Sequence, residues 1–282
     1  MIHSGTLYVV ATPIGNLEDI TLRALEVLKA VDVIAAEDTR HTSGLLSHFG
    51  IRKKMLAVHE HNEHQSAEQL LNRLRAGESV ALVTDAGTPG ISDPGAVVVD
   101  IVREAGLPVV PIPGASAVIA ALSASGIRQN GFSFVGFLPA SGSQRRKTLE
   151  SLKEQTATLV FYEAPHRVVE SVEDMATILG GERRITIARE LTKTFETFHR
   201  CMLNEAAAWL EADPNQQRGE FVLLVESLPG VEDTEISDDV ERVLKLLMAE
   251  LPLKQAVKLA AEITGAKKNA LYEHGLKIKD SL

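Results

Sequence analysis

Short apolar runs alternate with amphipathic stretches along the first 125 residues of this chain. The apolar runs are rich in β-branched residues, and the stretches between them carry apolar residues at helical spacing. Strands that alternate with helices and are joined by short loops are typical of a parallel sheet. The predicted strands cover residues 6–11, 32–36, 55–58, 79–83 and 107–112, and the predicted helices cover 17–30, 66–76, 96–105 and 117–123. The pattern therefore predicts a parallel α/β domain.

The pattern changes near residues 125–131, where a second series of strands begins. These strands are predicted at residues 132–137, 158–162, 184–188, 196–202 and 219–226, with a flexible basic loop at 141–147 and helices to residue 179 and at 205–212. Because a weaker helix separates the last strands, we expect a mixed sheet. An acidic linker and three helical segments (240–250, 253–264 and 267–276) follow. The predicted domains are 1–118 (parallel α/β), 119–227 (second α/β), 228–239 (linker) and 240–282 (helical).

The loop after the fourth predicted strand, residues 84–95, has the composition of a ligand-binding loop. It contains three glycines and two prolines between a strand and a helix. Glycine lets a backbone approach a ligand closely, and proline fixes the path of the chain. Ser92 or Asp93 is predicted to cap the following helix, with Pro94 in its first turn. Polar clusters also follow the other strands, and in a parallel sheet all these ends lie at one edge.

Overall composition narrows the class of protein. The 282 residues are 45% hydrophobic and 24% charged, with a net charge of −9, which argues against a protein that coats naked nucleic acid. The single cysteine, Cys201, excludes an internal disulfide and fits a reducing cytoplasm. No apolar run has the length of a membrane span, so no membrane partner is expected. Residues 252–282 carry six lysines against three acids, which suits either a helix-turn-helix module or a solvated helical tail.

Several common chemistries lack their motifs. The chain has no GxGxxG after its first strand, no GxxxxGK[ST] and no GxSxG, which disfavours dinucleotide, P-loop and serine-hydrolase sites. His59, His61 and His64, with Glu60 and Glu63, suggest a metal site or a hydrogen-bonding rim. Their spacing does not match a helical zinc motif, so the rim is favoured and no metal is predicted.

An ordered set of sequence blocks resembles a known enzyme family. The blocks are residues 10–16, 36–40, 59–63, 85–89, 113–117, 161–167, 188–193 and 219–221, and they include EDTR, DAGTP, PGASA, FYEAPHR and ARELTK. Together they are similar to the small-subunit ribosomal RNA methyltransferases of the tetrapyrrole-methylase-like fold. The resemblance implies two α/β domains with S-adenosylmethionine in the cleft between them, and a homodimer. It also implies 2′-O-methylation of a cytidine ribose in the decoding region of 16S rRNA, in the assembled 30S subunit.

The resemblance also assigns roles to residues. The implied S-adenosylmethionine contacts are Pro13, Ala86, Gly87, Thr88, Ile91, Ser116, Ala117, Tyr162 and Ala188. Relatives that act on tetrapyrroles usually have an acidic residue at the position of Thr88. A 2′-hydroxyl is a poor nucleophile at neutral pH, so a proton acceptor is needed, and the candidates are Asp38, Glu60 and Glu190. Candidate phosphate or ribose contacts are Arg40, Arg145, Arg167 and Lys193, with a structural ion pair as the alternative for each.

Two other functions stay open at this point. One is methyl transfer to a small tetrapyrrole, for which an added basic helical module has no obvious use. The other is a non-enzymatic RNA-binding assembly factor, which would not need polar clusters at successive strand ends. Low aromatic content (4%) gives few stacking platforms for bare RNA, which favours recognition by shape on the assembled subunit.

Overall fold

The computed structural model describes residues 2–59, 63–128, 131–227 and 238–280. The chain divides into two compact units, Met1–Glu226 and Ser227–Leu282. The first unit contains two five-stranded sheets, and the described part of the second unit consists of three helices. Within the described residues, no helix is long and apolar enough to cross a membrane.

The first sheet is parallel throughout and has the strand order β3-β2-β4-β1-β5. Its strands are β1 (Leu7–Val10), β2 (Val33–Ala36), β3 (Lys54–Ala57), β4 (Val80–Val83) and β5 (Val109–Ile112). Its helices are α1 (Leu22–Ala30), α2 (Thr39–His48), α3 (Glu63–Arg75), α4 (Ala96–Glu104) and α5 (Ala117–Ser125). Buried apolar clusters cover both faces, as expected for a sheet whose central strands are apolar on every residue. The predicted parallel α/β sheet is therefore confirmed.

The second sheet has the order β6-β7-β10-β8-β9, in which β6 and β7 are parallel and the other neighbours antiparallel. Its strands are β6 (Phe132–Phe137), β7 (Thr158–Glu163), β8 (Arg184–Arg189), β9 (Thr197–Met202) and β10 (Phe221–Val225). Its helices are α6 (Gly142–Leu152), α7 (Val168–Leu179) and α8 (Leu203–Ala212). The prediction of a mixed sheet is confirmed. Helix α5 packs against β8 and β10, and the domain boundary at residues 118/119 stays a prediction.

Two local predictions were wrong. The stretch 141–147 is not a flexible loop, because α6 begins at Gly142. Its buried Arg145 and Leu149 tie the helix to the protein, and such tertiary contacts outweigh the low helix propensity of the Ser-Gly-Ser start. The predicted helix 17–30 is also interrupted: a 3-10 turn at Leu17–Asp19 is followed by α1, whose first turn is capped by Thr21.

The described helices of the second unit are α9 (Asp238–Glu250), α10 (Leu253–Thr264) and α11 (Lys268–Asp280). They pack around a small apolar core that includes Leu244, Ala260 and Leu271. Gly265 ends α10 in the left-handed conformation, which explains the sharp turn before α11. The three predicted helices are confirmed. The greater part of the predicted linker lies outside the described residues.

Candidate active site

The loops that follow β1, β4 and β5 are joined to one another at the carboxyl edge of the first sheet. Thr12 and Gly87 exchange two backbone hydrogen bonds, of 2.8 and 3.1 Å between nitrogen and oxygen. Thr88 Oγ1 donates to the carbonyl of Ala115 at 3.0 Å. These bonds hold residues 84–88 between the other two loops, so the glycine-rich loop has a fixed path.

Small residues keep this junction narrow. Gly87 has a φ of +82°, a conformation that a residue with a side chain rarely adopts. A Cβ on Gly114 would lie 2.8 Å from the Cβ of Ala11. The three loops therefore approach one another closely only because these positions have small residues or none of the bulk of a side chain.

The second sheet closes the other side of a cleft of about 300 Å³. Its lining is mainly apolar, with a few polar groups directed into it, as in typical small-molecule sites. The lining residues are Ile14, Ala86, Gly87, Thr88, Ile91, Ser92, Asp93, Ser116, Ala117, Phe137, Tyr162, Glu163, Ala164, Pro165, Leu191, Glu220, Phe221 and Val222. Loops of the parallel sheet and strand ends of the mixed sheet thus share one site.

A strained turn of the second sheet contacts the loop after β1. Glu190 and Thr192 both have positive φ, +53° and +66°. Thr192 Oγ1 accepts a hydrogen bond from the backbone N–H of Asn16 at 3.1 Å, and a Cβ on Gly15 would lie 2.8 Å from the same oxygen. Such backbone strain is often found at functional sites, where the surrounding structure enforces it. This contact fixes the distance between the two walls of the cleft.

Seven of the nine residues that the resemblance assigned to S-adenosylmethionine line this cleft. They are Ala86, Gly87, Thr88, Ile91, Ser116, Ala117 and Tyr162. Pro13 is not among the lining residues, although its neighbour Ile14 is. Ala188 is fully buried in the apolar cluster that also contains Ile14 and Val222. The structure therefore brings most of these residues to one surface and places Ala188 beneath it.

The predicted proton acceptors that the structure describes already accept hydrogen bonds. Asp38 caps α2, and the hydrogen bond from the backbone N–H of Arg40 is the main cause that lowers its pKa. Burial acts to raise the pKa of Glu190, but hydrogen bonds from Lys193 and from the backbone of Glu220 outweigh it and lower the pKa. Glu60 lies outside the described residues.

Asp93, which the sequence predicts as a possible cap of the following helix, is one of the carboxylates that line the cleft. Partial burial raises its pKa to about 6, and the negative charges of Glu37 and Asp85 add to the effect. It does not cap α4, and neither does Ser92. Instead, Glu63 Oε1 on α3 accepts from the backbone N–H groups of Gly95 (2.7 Å) and Val97 (3.0 Å). The capping prediction was therefore wrong, because the cap comes from a distant helix.

The four predicted RNA contacts fall into two groups. Arg145 is buried and pairs with Asp174 at 2.6 Å, and Arg167 pairs with the fully buried Glu163. Lys193 bridges two carboxylates at 2.9 Å each. Arg40 is exposed on the first turn of α2. The contacts of the first three match the structural alternative, whereas the exposed Arg40 makes no ion pair within the part of the chain that the structure describes.

The histidine-rich segment gives no metal centre within the described residues, where no group of three or more metal-ligating side chains is found. Glu60 and His61 lie outside those residues. Glu63 is engaged as the cap of α4.

Matches to family models and to solved structures show the class of protein to which this chain belongs. Residues 6–207 match the family of tetrapyrrole (corrin/porphyrin) methylases, and residues 234–279 match the RsmI C-terminal HTH domain. The fold is similar to that of uroporphyrin-III-C-methyltransferase from Thermus thermophilus, with a TM-score of 0.58 over 79% of this chain and 94% of that chain at 21% identity. It is also similar to the methyltransferase CobJ, with a TM-score of 0.60 over 79% and 95% at 18% identity. The chain thus has the tetrapyrrole methylase fold.

Sequence relatives then narrow the assignment. The chain is 54% identical to ribosomal RNA small subunit methyltransferase I of Escherichia coli O157:H7, over 96% of this chain and 95% of the relative. It is 54% identical to the protein of the same name from Pseudomonas aeruginosa, over 97% of both chains. The chain belongs to the ribosomal RNA small subunit methyltransferase I family.

Proposed function

We propose that this protein transfers a methyl group from S-adenosylmethionine to the ribose 2′-hydroxyl of a cytidine in 16S rRNA. The observation that carries the proposal is the cleft between the two sheets, whose lining includes most residues expected to hold the methyl donor. Full-length relatives named as small-subunit rRNA methyltransferases support the RNA substrate. The tetrapyrrole alternative loses support, because residues 234–279 match the RsmI C-terminal HTH domain and the rRNA methyltransferase relatives align over nearly the whole chain.

The residues of the cleft fit S-adenosylmethionine. The glycine and alanine backbone of residues 86–88 leaves space that a Cβ on Gly87 would restrict. Apolar side chains such as Ile14 and Leu191 suit an adenine ring. Ala86–Thr88, Ile91, Ser116, Ala117 and Tyr162 would hold the molecule. When bound, it supplies an electrophilic methyl group.

Catalysis by this chain then rests on alignment and on proton removal. The hydrogen-bonded loops after β1, β4 and β5 and the strained turn after β8 fix the two cleft walls relative to each other. A fixed wall holds the acceptor hydroxyl in line with the methyl group, and such orientation is worth several kcal/mol. The apolar lining excludes water that would compete for the methyl group.

The helical second unit is a candidate for RNA contact outside the cleft. Lys254, Lys258, Lys267 and Lys268 are all exposed on α10, α11 and the turn between them. Lysines on one small module neutralise phosphates and displace counterions. We expect the K254A/K258A/K268A variant to bind 30S subunits less tightly, with a weaker salt dependence, while its affinity for S-adenosylmethionine is unchanged. Unaltered subunit binding would make the module structural.

A homodimer in the cytoplasm is part of the same proposal. Phe195, two residues before β9, and Phe198, within β9, are exposed, with relative exposures of 69% and 37%. Among the described strands β9 has a neighbour on one side only, and an edge strand with exposed apolar side chains favours pairing with another chain. Light scattering of the purified protein would give the dimer mass, and F195S/F198S would shift it to the monomer. A monomeric wild-type protein would contradict this part of the proposal.

One experiment tests the central reaction. The protein is incubated with methyl-labelled S-adenosylmethionine and, separately, with 30S subunits, naked 16S rRNA or a tetrapyrrole precursor. We expect label on 30S rRNA at a cytidine 2′-oxygen and little on the other two. Label on the tetrapyrrole would support the small-molecule alternative. Subunit binding without label on any substrate would support the assembly-factor alternative.

A further inference from the structure

Three carboxylates line the cleft, and two of them are engaged by other groups. Glu163 accepts hydrogen bonds from the backbone of Ala164, from Arg167 and from Ser171. Glu220 pairs with Lys193. Asp93, in contrast, receives no hydrogen bond and makes no ion pair with any residue that the structure describes. Its oxygens are therefore available to a ligand in the cleft.

The surroundings of Asp93 make it a stronger proton acceptor than an ordinary aspartate. Half-burial disfavours its charge, and Glu37 and Asp85 from the first sheet repel it. Tyr162 of the second sheet faces the same region, and the charge of Asp93 adds to the burial that raises the tyrosine pKa. With a pKa of about 6, the carboxylate is still ionised at neutral pH. A base whose pKa lies near the working pH is close to the optimum for proton transfer.

We propose that Asp93 accepts the proton that the ribose hydroxyl loses during methyl transfer. This inference rests on the proposed function. The new bond forms between the 2′-oxygen and the methyl carbon, while the bond from that carbon to sulfur breaks and its electron pair stays on sulfur. The O–H proton moves to a carboxylate oxygen of Asp93, and solvent removes it after the product leaves.

The two other described carboxylates suggested by the sequence suit this task less well. The carboxylate of Asp38 accepts the capping hydrogen bond of α2, at 2.7 Å from the backbone nitrogen of Arg40. Glu190 accepts from Lys193 and from the backbone of Glu220. A carboxylate with occupied lone pairs and a lowered pKa is a weaker base.

The test compares D93N and D93E with the wild-type protein and with D32N as a matched control. Asp32 lies before β2, where it accepts hydrogen bonds from Ser79, and Asp32 is not among the cleft-lining residues. Single-turnover methyl transfer to 30S subunits is measured at saturating S-adenosylmethionine, and the affinity for S-adenosylmethionine is measured by calorimetry. We expect D93N to slow transfer at least 100-fold, on the order of a lost general base, with affinity within threefold of wild type. D93E should recover part of the rate, and D32N should match wild type.

A direct readout accompanies the rates. In protein labelled with ¹³C at aspartate carboxyls, the signal missing from D93N should titrate near pH 6, and the transfer rate of the wild type should fall below the same pH. A D93N rate within threefold of wild type would overturn the inference, as would a loss of affinity that accounts for the whole rate effect. A wild-type protein that labels no RNA would instead overturn the proposed function, and the inference with it.

Discussion

Replacing Asp93 with asparagine should stabilise the folded protein at neutral pH, although it removes a group that we place in catalysis. Folding raises the pKa of this carboxyl from its ordinary value of 3.8 to about 6. The folded state therefore binds the proton more tightly than the unfolded state does. The favourable contribution is complete below pH 4, decreases as the pH rises towards 6, and is absent above that.

The structure sets the size of this effect. A pKa change of about two units corresponds to roughly 3 kcal/mol at about 1.4 kcal/mol per unit, which is an upper bound. Asp93 is only partly buried, and solvent screening at such a position reduces the value to about 1 kcal/mol. We therefore expect D93N to unfold with a free energy about 1 kcal/mol above wild type at pH 8, and with no such gain at pH 4.

The assay is urea unfolding followed by circular dichroism at pH 4, 6 and 8. D32N serves as a control for which the change in stability should have the opposite sign. The pKa of Asp93 is raised, whereas hydrogen bonds from Ser79 lower the pKa of Asp32. Its carboxylate stabilises the folded state above the ordinary pKa, so D32N should lose stability at pH 8 and less at low pH. A D93N protein that is less stable than wild type at pH 8 would refute the reasoning, since it would mean that the carboxylate is well solvated or paired.

Three further substitutions test the framework of the cleft. R167A should lower the free energy of unfolding by about 3 kcal/mol, because it removes the cationic partner of the buried Glu163 carboxylate, which keeps only the hydrogen bonds from Ala164 and Ser171; normal stability with a raised KM for 30S subunits would instead indicate an RNA contact. E63A should cost about 1–3 kcal/mol by removing two charge-assisted hydrogen bonds from α4, and E63Q should recover part of this loss in the same urea assay. G15A should weaken S-adenosylmethionine binding in calorimetry, because the added Cβ would fall 2.8 Å from Thr192 Oγ1 and separate the cleft walls; unchanged affinity would show that the turn moves freely.

The strands and the class of fold were predictable because they depend on local patterns. A central parallel strand is apolar on every residue, and the polar or glycine-rich turns that follow it are visible in sequence. Helix α2 (Thr39–His48) was missed because it contains threonine, serine and Gly44, which are poor helix formers. It is nevertheless stabilised by Asp38 at its start and by the buried Leu46. The stability of α2 therefore comes from its cap and its tertiary packing and not from its intrinsic helix propensity.

Residues of the cleft could be predicted from the sequence only where they belong to a recognisable motif. The loop at 84–95 stood out by its glycines and prolines, and all four of its expected ligand contacts line the cleft. Whether an individual charged side chain is exposed or buried in an ion pair could not be predicted from such a motif. Arg145 looks like a free cation of a basic segment, yet it is buried against Asp174, which lies 29 residues away in sequence. No local pattern indicates such a partner.

Asp93 does not cap α4, because a residue from another helix takes that role. A helix that begins after Ser-Asp-Pro ordinarily takes its cap from the serine or the aspartate. Here Glu63, which is contributed by α3, satisfies the first N–H groups of α4, so the local aspartate is not needed as a cap. Ser92 adopts a φ of +64°, and the carboxylate of Asp93 lines the cleft near two other acids. An arrangement that raises a carboxyl pKa costs stability, and proteins retain such arrangements mainly where function requires them. The place of Asp93 in the cleft lining, with the cap of α4 supplied by Glu63, is the main reason to assign it to the chemistry of the cleft, and the raised pKa supports that assignment.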